Sequence, residues 1–185
     1  HGRIRRQRQM CIRDSSIYGV NPNGRVAENT HLSWRSPAPW KGRQRLIKFD
    51  LMSGDKNAIE PFDKEGGGII APPVNVPEYE MCIAWDSING GLAGISTTDR
   101  KLAVSWQLDM RPTMQPVIFP ESGELVINNF ENGEDELIVV DIATGELLSR
   151  AKVNARLANG MFLTPGFNRD IFYCTTGTFS KVTWY

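Results

Sequence analysis

The chain has 185 residues, 41% apolar and 23% charged, which suits one folded domain with a core and excludes a disordered tail. No apolar run approaches the roughly 18 residues of a membrane helix. The 21 Lys and Arg cancel the 21 Asp and Glu, so no global positive field gathers nucleic acid.

The neutral total conceals a basic head. Residues 1–15, HGRIRRQRQMCIRDS, carry five arginines and one acid, which leaves 16 bases and 20 acids, a net −4, on the remainder. No apolar stretch follows these charges, so the head is not a secretory signal. It reads either as an arm for nucleic acid or anionic lipid, or as a segment foreign to the native chain. RRQRQMCIRDS resembles translated adapter read-through of metagenomic reading frames, and the second reading is the expectation. Because the chain starts at His1 and stops at Tyr185 in an apolar run, it is also expected to be an internal fragment of a longer protein.

Residues 16–44 are expected to form a loop or a divergent piece of the first repeat. Their stretch from 19 to 44 is polar and rich in Pro, Asn and Gly. Within it, Trp34 and Trp40 flank Ser36-Pro-Ala-Pro39, where an exposed aromatic would contact a ligand. His31 is the only histidine away from the terminus, so a Ser-His-Asp or Cys-His mechanism would have to use it. Its polar surroundings argue against that role.

From residue 45 a repeat begins. Leu46-Ile-Lys-Phe-Asp50-Leu-Met-Ser-Gly54-Asp55 and Leu137-Ile-Val-Val-Asp141-Ile-Ala-Thr-Gly145-Glu146 both read apolar run, Asp, two residues, Ser or Thr, Gly, acid. Their aspartates stand 91 positions apart, and a degenerate copy lies midway, with Ser96 in place of the Asp. Pro73, Pro120 and Pro165, each before an apolar strand, are spaced 47 and 45. A period near 45 matches the four-stranded blade of a β-propeller. The expected strands are 45–51 and 56–60 in a partial first blade, then 68–72, 80–86, 91–96 and 102–108 in the second. The third has 115–119, 124–130, 136–142 and 146–153, and the fourth 160–164, 170–175 and 179–184. Runs such as Leu137–Val140 are apolar at successive positions, which implies burial on both faces. Their connections are short turns such as Asn132-Gly133, with no helix between them. The expected fold is therefore all-β, with antiparallel four-stranded blades forming a partial β-propeller of about 3–3.5 blades. An open arc that leaves about 500 Å² of apolar surface on each end face would lose on the order of 12 kcal/mol per face. This also argues for a longer ring.

Phe119-Pro-Glu-Ser-Gly-Glu-Leu-Val-Ile-Asn128, followed by Leu137-Ile-Val-Val-Asp-Ile-Ala-Thr-Gly-Glu-Leu-Leu148, resembles the PQQ-like and YVTN-type propeller repeats. The resemblance covers about residues 45–185. In the shared turn, Asp50 and Asp141 are expected to accept backbone N–H groups, Thr144 to belong to the same turn, and Gly54 and Gly145 to take positive φ. The resemblance implies a binding or scaffold propeller that receives a protein or small molecule on its loops. Under an alternative it implies a quinoprotein dehydrogenase with calcium-held PQQ, or a metal-dependent lactonase-type hydrolase, its site mostly outside this chain. It also implies a periplasmic or extracellular location rather than a cytoplasmic one. Glu131-Asn-Gly-Glu-Asp-Glu136 offers oxygen ligands but lacks EF-hand spacing, and is expected to be a solvated hairpin. Trp85 and Trp106 are expected to pack between blades. Cys82 and Cys174, on equivalent strands two blades apart and beyond the reach of about 7 Å for a disulfide, are expected to be free and buried.

Overall fold

The computed structural model describes residues 16–22, 40–67, 72–98, 101–153 and 162–185. The Arg-rich head, His31 and Trp34 lie outside these residues. Four antiparallel sheets follow one another along the chain. The first comprises β1 (Ser16–Pro22), β2 (Trp40–Asp50), β3 (Lys56–Ile59) and β4 (Glu65–Gly67), with β2 pairing all three others. The second is the meander β5 (Val74–Val76), β6 (Met81–Trp85), β7 (Leu92–Ser96) and β8 (Ala103–Leu108). The third is β9 (Val117–Phe119), β10 (Glu124–Glu131), β11 (Glu134–Asp141) and β12 (Leu147–Val153). The fourth has three strands, β13 (Phe162–Pro165), β14 (Asp170–Cys174) and β15 (Phe179–Thr183). Among the described residues no helix is long and apolar enough to cross a membrane.

The sheets stack face to face, and the inner strands show why their central runs are apolar at successive positions. On β6, Met81, Ile83 and Trp85 face the third sheet, while Cys82 and Ala84 face the first. On β11, Ile138 and Val140 pack toward the second sheet, and Leu137 and Val139 toward the fourth. A strand sends alternate side chains to opposite faces, so a run buried between two neighbours is apolar on both faces, and the polar residues buried there, such as Asn128 and Asp135, are hydrogen-bonded. Each fully buried Leu or Ile contributes about 1.5–3 kcal/mol. Face-stacked antiparallel blades of this kind make the fold a partial β-propeller.

Several strands differ from the sequence reading, β1 and β4 being additions to the expected set. β2 starts at Trp40 rather than near 45, and over Gln44–Asp50 it pairs with Pro22–Ser16. The first strand of the second sheet is Val74–Val76 rather than 68–72, of which 68–71 lie outside the described residues. Pro72 and Pro73 carry no N–H, so pairing starts after them, with Val74 opposite Ile83.

Candidate functional site

Three hairpin turns share one hydrogen-bonding scheme. Asp50 Oδ1 accepts the N–H groups of Met52 at 2.8 Å and Ser53 at 3.0 Å. These donors hold its carboxyl below the usual range. Asp141 Oδ1 accepts from Thr144 N at 2.8 Å and Thr144 Oγ1 at 2.9 Å. The third member is Asp86, whose Oδ1 accepts from Ile88 N and Asn89 N, both at 2.9 Å. The degenerate repeat copy at Ser96 stands at the end of β7, as Asp141 stands at the end of β11, and its Oγ accepts the Thr98 N–H at 3.4 Å. Asp86 closes a different hairpin, β6–β7, at the opposite end of the sheet and outside the repeat register, and Asp86-Ser-Ile-Asn-Gly90 was its available signal.

Gly145 has φ +76 and a second constraint. A Cβ there would lie 2.7 Å from the Trp106 ring, and a Cβ on Gly94 only 2.2 Å from the same ring. Trp106 is thus clamped between its own sheet and the next, with its indole N–H donating to the Ile142 carbonyl at 2.9 Å. Trp85 and Trp106 are both buried in the seam between the second and third sheets. Trp40 sits on β2 with Gly67 as its backbone partner. Cys82 and Cys174 are free thiols. Cys82 is fully buried, and burial pushes its thiol up to about 12. Cys174 is half-buried rather than buried, because it shares the outer face of the fourth sheet with Phe172 on β14 and Phe179 on β15.

The first strands of the second, third and fourth sheets frame a cleft of about 610 Å³ lined by Val74, residues 113–118, Phe162, Leu163 and Pro165. This is within the usual size of a ligand pocket. None of these lining residues is ionisable. One rim is fixed by a buried polar chain. Asn128 Oδ1 accepts the N–H groups of Thr113 and Met114 at 3.0 Å. Its amide nitrogen donates to Thr113 Oγ1 and Asp135 Oδ1, both at 2.7 Å. Tyr173, from the fourth sheet, donates to Asp135 Oδ2 at 2.7 Å. Burial, then the Asp135 carboxylate, raises the Tyr173 pKa, so the phenol stays protonated and donates. Such a cleft can bind an uncharged surface, and its described lining offers no acid or base. No local signal marks it, because its walls come from segments about one repeat apart.

Three carboxylates of the acidic hairpin are engaged. Glu136 pairs with Arg150 and Glu134 with Lys152 across β11 and β12, while Asp135 is buried in the chain just described. Among the described residues, no group of three His, Cys, Asp or Glu is placed to hold a metal ion. These residues do not fit a calcium-held quinone. A second polar link joins the third and fourth sheets. The Glu124 carboxylate, buried, accepts both the Nε and an NH2 of Arg169, the Ser122 hydroxyl at 2.7 Å and the Trp184 indole N–H at 3.4 Å. The Arg169 guanidinium holds Glu124 below the usual carboxylate range.

No protein-family model and no curated protein matches the sequence. Among solved structures, the chain is similar to an acylaminoacyl peptidase from Pyrococcus horikoshii, at 11% identity and TM-score 0.51, over 92% of this chain and 31% of that one. It is also similar to the β-propeller domain of the trilobed protease from Pyrococcus furiosus, with an open velcro topology, at 11% identity and TM-score 0.41, over 92% of this chain and 54% of that one. A europium-containing methanol dehydrogenase aligns at 10% identity and TM-score 0.39, over 62% and 23% of the respective chains. The chain thus spans 31%, 54% and 23% of these neighbours' lengths. The peptidase likeness extends to the fold alone, and it agrees with the stacked sheets: the chain is a β-propeller segment.

Proposed function

We propose that the chain belongs to a non-catalytic binding or scaffold propeller of the PQQ-like or YVTN type, and that it receives an extended, uncharged segment of a partner protein in the inner cleft. The repeat type rests on the resemblance of Phe119–Leu148. The observation that carries the binding reading is the cleft, whose described lining is mostly apolar and has no ionisable side chain. Its three strand walls, β5, β9 and β13, are edge strands of their sheets. An edge strand offers main-chain donors and acceptors to an added strand, and apolar pockets select its side chains.

The test is selection of a random peptide library on the whole chain, with counter-selection on Phe162→Ser. Phe162 is 47% exposed, so the substitution leaves the core intact. The expected result is a set of apolar peptides that bind the native chain and lose at least tenfold in affinity on the variant. Peptides that bind both equally, or no enrichment at all, would overturn the reading.

A further inference from the structure

Away from the inner cleft, a second cleft of about 390 Å³ opens between the β2–β3 hairpin and the turn that precedes β8. Three of its walls are the ammonium-bearing side chains Lys48, Lys56 and Lys101. The lysines whose side chains are described number six in all. Lys64, Lys152 and Lys181 each hold a carboxylate, Asp109, Glu134 and Asp170, at 3.1, 2.7 and 2.7 Å. The other three, which form no ion pair with the described residues, are the three that line this cleft.

The cleft is held in shape by bonds between blades. The Asn57 amide oxygen accepts the Leu102 N–H at 2.9 Å, which fixes the Lys101 turn against β3. Lys48 donates to the Thr97 carbonyl at 3.3 Å and keeps two further N–H donors. The amide oxygen of Asn57 is engaged, so its NH2 is left as a donor. Of the two aspartates in the wall, Asp50 has its Oδ1 engaged by the backbone of its own turn. Asp55 is the other carboxylate present. The wall is therefore richer in cationic donors than in anionic acceptors.

We propose that this cleft is a binding site for a small multivalent oxyanion, either a phosphate group or a polycarboxylate, held by Lys56 and Lys101 with Lys48 as the anchored third cation. A monovalent ion would gain little against Asp50 and Asp55, whereas two or three charges can meet several ammoniums at once.

The experiment is titration of the whole chain with inorganic phosphate and, separately, with citrate, at ionic strength held constant with sodium chloride. Binding is read by calorimetry and by the thermal midpoint, which a ligand of the native state raises. Saturable binding that weakens at least tenfold in Lys56→Gln/Lys101→Gln, but is unchanged in Lys64→Gln/Lys152→Gln, supports the site. Tighter phosphate assigns it to phosphate groups, and tighter citrate to polycarboxylates. Lys56 and Lys101 are exposed, so an unchanged ligand-free midpoint is expected in the variant. No saturable binding up to about ten millimolar, equal losses in both variants, or an effect that sodium chloride reproduces would overturn the proposal.

Discussion

Gly54 and Gly145 close turns of the same type, with φ of +77 and +76, yet their surroundings differ completely. A Cβ on Gly54 meets nothing within 4 Å, whereas one on Gly145 would lie 2.7 Å from Trp106. Placing Ala in the left-handed region costs about 1–2 kcal/mol, offset by about 0.4–1 kcal/mol from the stiffer unfolded chain. Gly54→Ala should therefore destabilise by about 1 kcal/mol. Gly145→Ala carries the same backbone term and adds overpacking of about 1–3 kcal/mol. The ring has no room to retreat, because Gly94 abuts it and Ile142 holds its N–H. The expected gap between the two variants is thus about 1–3 kcal/mol, or roughly 2–4 °C in thermal midpoint per kcal/mol for a domain of this size. Urea unfolding followed by tryptophan fluorescence and thermal unfolding followed by circular dichroism would both measure it. Adding Trp106→Leu to each variant should abolish most of the gap. Equal losses at Gly54 and Gly145, or a gap that survives Trp106→Leu, would refute the reasoning.

Two further outcomes follow from the titratable groups. Glu124, Glu136 and Asp170 are each held below their ordinary range, chiefly by hydrogen bonds from Arg169, Arg150 and Lys181. Their stabilisation is present above the unfolded carboxylate values of about 4 and is lost as pH falls through the lower folded values. Urea midpoints measured from pH 7 down to about 2 should therefore decline more steeply in the native chain than in Glu124→Gln, which no longer takes up that proton; parallel declines would contradict the assignment. Of the two described thiols, Cys174 should label with a maleimide in the folded chain at pH 8, while Cys82, with its thiol near 12, should label only after denaturation. Mass mapping of the labelled peptides decides this, and early modification of Cys82 would show that the seam between the first and second sheets opens.

What could be read in the sequence was what nearest neighbours dictate. Leu137–Val140 announces a strand buried on both faces, and Asp141–Gly145 announces a turn, because periodicity and turn chemistry are local. The pairing of Ser16–Pro22 with Gln44–Asp50 could not be read, since two strands joined through a long segment leave no local signature of their pairing. Ile69 and Ile70 drew the expected strand ahead of the prolines, whereas pairing with β6 begins at Val74. Asp86 was legible only as part of an Asn-Gly turn, because it closes β6–β7 and has no counterpart in the Asp50 and Asp141 register, whose place in this sheet Ser96 takes. Both clefts escaped for one physical reason. Val74, Met114 and Leu163, like Lys56 and Lys101, are brought together by the stacking of separate blades.

The alternation along β6 and β11 bears on how this molecule can change. Neighbouring residues such as Ile138 and Val139 answer to different partners, one on each side of the sheet. Mutational drift at one parity can remodel a single boundary and leave the adjoining one untouched. The architecture thus resembles a row of separately adjustable couplings more than one indivisible interior, as expected where each unit touches only those beside it.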